Sequence, residues 1–268
     1  MSSWIPISRS EHVDTYWQAP QNYNATAEQN VITVLLPELS NMISHYVLAF
    51  TKVADQYQLV ALLSLSGGRN LYLGQEGQWL CPYIPAALRS NPFTLANNAS
   101  GDKIMCVDEN ALTDDPQAKA LVDGEGNLAP PTAQVFEFLN HCEQGRVMTQ
   151  AACKSLADAG LIDAWPLTLG GEDGQKTVNI EGLHRINATA LDELKASALA
   201  KLRKSGALPL AYAQLFSMNQ LPVLRQRYTA AAKPPVANNP MKGLSPLFQE
   251  EGTLNFDSLF GDDDLKTP

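Results

Sequence analysis

The chain has 268 residues, 45% hydrophobic and 18% charged, a composition that excludes a fibrous or wholly disordered protein. At roughly 100–200 residues per domain, that length allows one large domain or two small ones. Nineteen Lys and Arg face 28 Asp and Glu, and the formal net charge of -9 argues against nucleic acid or an anionic lipid surface as the main partner.

In chain order, the first residues lack a basic stretch followed by an apolar run. A cytoplasmic product is expected, with export by a route that uses no N-terminal signal left open. The longest apolar runs, 31–36 and 59–63, fall far short of the roughly 20 residues a membrane span needs, so no span is expected. Residues 1–30 hold Trp4, Tyr16 and Trp17 among Pro, Asn and Gln, and read as an N-terminal arm whose aromatics pack onto the body. Residues 31–36 are a β-prone run stopped by Pro37. Aromatic and β-branched residues without helical spacing make 46–53 a strand, and a turn at 54–56 leads into a second at 57–65. Gly67-Gly68 and the 74–77 turn separate two further short runs, 71–73 and 78–84. Four such runs predict an antiparallel β-meander.

Between 85 and 131, turn signals dominate and only 103–107 reads as a strand. Val135, Leu139, Cys142, Arg146, Thr149, Cys153 and Leu156 then recur in steps of four and three, which predicts a helix with both cysteines on its inward face. Gly145 should weaken that helix by roughly 1 kcal/mol relative to Ala. A β-hairpin is expected from 165–169 and 176–180. A helix should start near Thr189 as its cap and stop at Gly206, with Lys201, Arg203 and Lys204 answering its dipole. The next helix, over 210–220, is expected to turn Tyr212, Leu215 and Phe216 to a core. The body is thus α+β, with packed helices. Residues 231–268 read as a flexible acidic tail, in which Leu254, Phe256, Leu259 and Phe260 lie beside Asp262–Asp264. Two readings of that cluster stand, an anchor for a partner's groove or a solubilising end.

Motifs for nucleophilic, phosphate, zinc-protease and dinucleotide chemistry are absent from the sequence, the four cysteines form no CxxC pair, and the four histidines are scattered. No metal, cofactor or catalytic residue is therefore expected. Asp123-Gly-Glu-Gly reads as a turn rather than a calcium loop, because Gln134 stands where a bidentate Glu is required. Two places remain for binding. Arg69, in a glycine turn, would offer a charge to an anion or simply point to solvent. The segment 79–93 places Trp79, Tyr83, Phe93 and Arg89 between Pro82, Pro85 and Pro92, which furnishes either a peptide or sugar groove or a lid over a core.

That segment resembles the pattern W-x-x-x-Y-[IV]-P-x-x-[LIF]-R-x-x-P-F of the SapC family of bacterial proteins, through Trp79, Tyr83-Ile-Pro-Ala, Arg89 and Pro92-Phe93. Residues 65–71 are similar to the family's preceding hairpin and 206–221 to its C-terminal motif, so the likeness runs from about 30 to 225. The resemblance implies an association with bacterial surface-layer loci, and it brings no catalytic residues with it. The organisation expected is an arm over 1–30, a SapC-like α+β domain over 31–230 and the tail over 231–268. The function expected is a non-enzymatic binding or accessory protein whose partner is another protein, or a peptide or glycan ligand. The alternative is an enzyme or enzyme-modulating component acting on a peptide or glycan, built where Arg69, Arg89 or His45 approaches a carboxylate such as Glu38. Deleting 231–268 is expected to leave the thermal midpoint almost unchanged; a large fall in a melting experiment would assign that stretch to the core.

Overall fold

The computed structural model describes residues 3–8, 10–65, 68–98, 100–169 and 178–232. In chain order these form β1 (Trp4–Pro6), β2 (Tyr16–Trp17), β3 (Val31–Thr33), a 3-10 turn over Leu36–Glu38, α1 (Leu39–Met42), β4 (Leu48–Val53), β5 (Gln56–Leu62), α2 (Ala86–Arg89), β6 (Phe93–Asn97) and β7 (Lys103–Asp108). Then follow β8 (Leu112–Thr113), β9 (Lys119–Ala120), α3 (Pro130–Asp158), β10 (Ile162–Ala164), β11 (Leu167–Leu169), β12 (Val178–Ile180) and β13 (Leu183–Ile186). The helices α4 (Ala188–Asp192), α5 (Ala196–Lys204), α6 (Ala207–Ser217) and α7 (Leu221–Ala232) close the series. The chain divides into units at 1–228 and 229–268, and the second is described only over 229–232.

The pairings among the described strands are antiparallel, and with the helices they make the α+β class. The largest sheet has the order β10-β13-β4-β5-β3. Its centre is the β4–β5 hairpin, paired from Leu48↔Ala61 to Val53↔Gln56. The two turn residues, Ala54 and Asp55, take positive φ values of 46° and 63°, the twist a two-residue hairpin requires, and Asp55 binds Lys52 at 2.9 Å. The later runs of the expected meander do not extend this sheet. Leu73 and Trp79 form only an isolated bridge, and Pro82 and Pro85 lack the N–H groups a ladder needs. β3 lies beside β5 instead, and β13 beside β4.

The helix α3 packs on β5, α5 and α6. Leu139, Thr149, Cys153 and Leu156 are buried on its inward face, while Cys142 is half-buried and Arg146 lies exposed, held by Glu143 at 2.7 Å. Gly145 is buried, and a Cβ there would meet Pro37 Cγ and Cδ at 3.3 Å. The glycine thus admits the Leu36–Glu38 turn against the helix. A second core gathers Trp17, Phe93, Met105, Val107, Leu121 and Leu139, roofed by the sheet β1-β7-β6. Within the first thirty residues, Trp4 is exposed on β1 and Trp17 is buried, its indole N–H donating to Thr132 Oγ1 at 2.9 Å. The expected hairpin is present as β11–β12, and its connection lies outside the described residues.

Two helical expectations are corrected. The helix expected from a Thr189 cap to the Gly206 stop is two helices, α4 and α5, and the first is capped not by Thr189 but by the Asn187 side chain, which accepts from Ala190 N at 2.9 Å. The second ends at Gly206 with φ 72°, as the glycine implied. Helix α6 turns a different face inward from the one expected: Tyr212 and Phe216 are 40% and 59% exposed and Leu215 is half-buried, while Leu210, Ala211, Ala213, Gln214 and Ser217 face inward.

The reason lies in the sheet. β13 pairs with β4 only at Thr51 and Phe50. Beyond that point Leu48 N donates to Ser217 Oγ at 2.9 Å, Gln214 Nε2 donates to Leu48 O at 3.1 Å, and Ile186 N donates to Gln214 Oε1 at 3.0 Å. Side chains of α6 complete the ladder where the strand has run out, because buried backbone groups must be paired. Gln214→Met keeps the side-chain length and leaves two backbone groups unpaired, at roughly 1–3 kcal/mol each. Urea denaturation should show a loss of about 2 kcal/mol or more, and Tyr212→Ala should change stability by less than about 1 kcal/mol.

Candidate functional site

Glu38 is 4% exposed, yet it is the acceptor on which the aromatic-proline segment is built. Its Oε1 accepts from Leu35 N at 2.8 Å, closing the Leu36–Glu38 turn on itself. Its Oε2 accepts from Tyr83 Oη at 2.9 Å and from Ala86 N at 2.8 Å. Pro85 precedes α2 and has no side chain to cap it, so the carboxylate from a remote turn takes that role. The turn is held to α3 by Leu36 N, which donates to Thr149 Oγ1 at 2.7 Å, and by the contact of Pro37 with Gly145.

Tyr83 is thereby trapped between burial and the neighbouring Glu38 carboxylate, and its phenol is pushed up from 10.0 to about 12. Arg89 leaves α2 exposed, donates from Nη2 to Tyr83 Oη at 3.2 Å, and lies 5.4 Å over the Tyr83 ring and 4.9 Å over the Phe138 ring. Ring faces attract a cation and hold its plane in place. Lys119 lies 4.6 Å over the Trp17 ring. Arg89, Lys119, Trp17, Phe138 and the paired Pro130-Pro131 line an open groove of about 570 Å³.

Trp79 is a strut. Its Nε1 donates to Tyr46 Oη at 2.8 Å, and Tyr46 Oη donates to Tyr83 O at 2.5 Å. Tyr72 stacks on Tyr46 at 4.7 Å and on Trp79 at 6.1 Å, and Arg227 lies 4.7 Å over its ring. Burial raises the ionisation of both Tyr46 and Tyr72 well above the usual phenol range. This stack fixes the segment from behind.

Of the residues singled out from sequence, the structure brings Tyr83 and Arg89 together and ties Trp79 to them through Tyr46. Phe93 is 1% exposed and packs edge-on against Trp17 at 4.7 Å, so it supports the groove from inside the second core. Arg69 is exposed and, among the described residues, joins neither Glu38 nor the Tyr83–Arg89 pair. His45 is tied in through its backbone carbonyl, which accepts from Tyr72 Oη at 3.0 Å. Leu254, Phe256, Leu259 and Phe260 lie outside the described residues. Lys119, Phe138 and Pro131 escaped sequence reasoning, since no pattern in an isolated segment announces a wall contributed from another.

Among the described residues no group of three or more His, Cys, Asp and Glu is placed to hold a metal ion, and no helix is long and apolar enough to cross a membrane. The family model described as SapC matches residues 7–224. No curated protein and no solved structure matches the chain.

Glu38→Ala strips the acceptor from three donors and is expected to lower stability by about 3 kcal/mol or more in urea denaturation, at roughly 1–3 kcal/mol per orphaned group. The fold favours the protonated Tyr83 phenol, so its contribution is complete below pH 10 and disappears as pH rises through about 12. Tyrosinate absorbance should accordingly show a late-ionising class, and Tyr83→Phe should remove one phenol from it.

Proposed function

The chain belongs to the SapC family, and on that footing we propose that it is a non-enzymatic binding or accessory protein engaged in surface-layer or envelope-associated protein assembly. The observation that carries this reading is the state of Arg89. The guanidinium is held over two ring faces, pointed outward by a segment anchored on a buried carboxylate, and among the described residues it forms no ion pair. A fixed cation on an aromatic platform is a recognition device, since Arg and aromatic residues dominate the energetics of protein interfaces.

The rival reading, an enzyme or modulator acting on a peptide or glycan, needs a carboxylate free to exchange protons beside Arg69, Arg89 or His45, and Arg89 reaches Glu38 only through the Tyr83 hydroxyl. Glu38 has instead committed its oxygens to Leu35, Tyr83 and Ala86. That commitment favours a scaffold over a general base. The partner is another protein, with a peptide or glycan as the smaller alternative.

Arg89→Ala is expected to weaken capture of that partner while changing stability by less than about 1 kcal/mol, as an exposed cation–π contact implies. Tagged protein recovered from its native host should bring down an envelope or surface-layer component that the variant fails to enrich. Identical profiles from the two proteins would count against a binding role for this segment, and a stability loss of several kcal/mol would make Arg89 a structural residue.

A further inference from the structure

We infer that the groove between Arg89 and Lys119 receives an acidic peptide segment of a partner protein, with its carboxylates on the two cations and an apolar side chain between them. The inference rests on the binding-protein reading above and specifies its ligand. About 570 Å³ is the size of a cleft that holds a short side-chain cluster. Both charged residues lining it are positive, in a chain whose formal net charge is -9. Neither cation is within ion-pair distance of an acid among the described residues, and Arg89 reaches the buried Glu38 carboxylate only through the Tyr83 hydroxyl.

The chemistry between the cations narrows the class. Pro130 and Pro131 open α3 without N–H groups, and Val135 and Phe138 continue the floor along the helix. The Trp17 indole N–H donates to Thr132 and its ring is buried under Lys119 and against Phe93, so Trp17 backs the groove and fixes Lys119 at its edge. A bare inorganic anion would satisfy the cations and leave this floor wet. A glycan would need several hydrogen-bonding partners for its hydroxyls, and Gln134 is the single neutral amide in the lining. A peptide segment carrying both acidic and apolar side chains answers both features, its carboxylates pairing with the cations and an apolar side chain covering the floor between them.

The test uses the full chain and a fluorescein-labelled peptide, Asp-Leu-Asp-Phe-Asp-Leu, followed by fluorescence anisotropy. Saturable binding is expected that weakens with added salt, falls about tenfold or more when Asn replaces each Asp, and also falls when Gly replaces each apolar residue. Arg89→Gln and Lys119→Gln should each weaken it about fivefold or more with unchanged melting curves, and Arg89→Lys should restore part of the loss. Failure of the acidic peptide to bind would overturn the inference, as would equal binding of the Asn peptide or indifference to both variants. Equal binding of the Gly peptide, with complete competition by inorganic phosphate, would make the groove a plain anion site. Loss of the native partner on Arg89→Ala with no binding of the acidic peptide would sink this inference and leave the binding function intact; the reverse pattern would do the opposite.

Discussion

Burying a carboxylate costs several kcal/mol unless its oxygens find donors, and Glu38 solves this by drawing three donors from two separate pieces of chain onto one side chain. Its own turn supplies Leu35 N, the aromatic-proline segment supplies the Tyr83 hydroxyl, and the first turn of α2 supplies Ala86 N. Gly145 permits the approach of Pro37 to α3, and Thr149 accepts from Leu36 N to hold it there. The direction in which α2 points, and hence where Arg89 emerges, follows from this joint.

Rigidity in the candidate site comes from behind its surface. The prolines of the segment limit its backbone, and the stack of Tyr46, Tyr72 and Trp79 replaces the ladder hydrogen bonds that prolines deny it. Phe93 and Trp17 then form the wall on which Lys119 lies. Recognition chemistry at the rim is thus sparse, while most of the family-like residues in the segment are engaged in holding that rim still. A preorganised surface loses less conformational entropy when a partner docks.

The same rule, that buried polar groups find partners, sets the orientation of α6. Its sequence offers two faces of comparable hydrophobicity, so amphipathicity does not choose between them. The unfinished ladder at Leu48 and Ile186 chooses, because only the face carrying Gln214 and Ser217 pairs those groups. Tyr212 and Phe216, the larger apolar residues, are left outside and stack on each other at 6.0 Å. Ranking helix faces by apolar bulk fails wherever the opposing surface has a hydrogen-bonding debt.

Elements whose cause is local were legible from the chain alone. The β4–β5 hairpin, the long stripe of α3, the stop at Gly206 and the pairing of β11 with β12 rest on periods of two or 3.6 residues and on turn chemistry within a few positions. Family membership was equally legible, being a matter of spacing within one segment. Strand order, the burial of Phe93, the role of Glu38, the meeting of Arg89 with Phe138 and the groove that Arg89 shares with Lys119 were decided only by the tertiary structure. These contacts join residues far apart in sequence, as Trp17 and Thr132 are at a separation of 115, and the free energy that selects them is that of packing and desolvation, which no local window of residues contains.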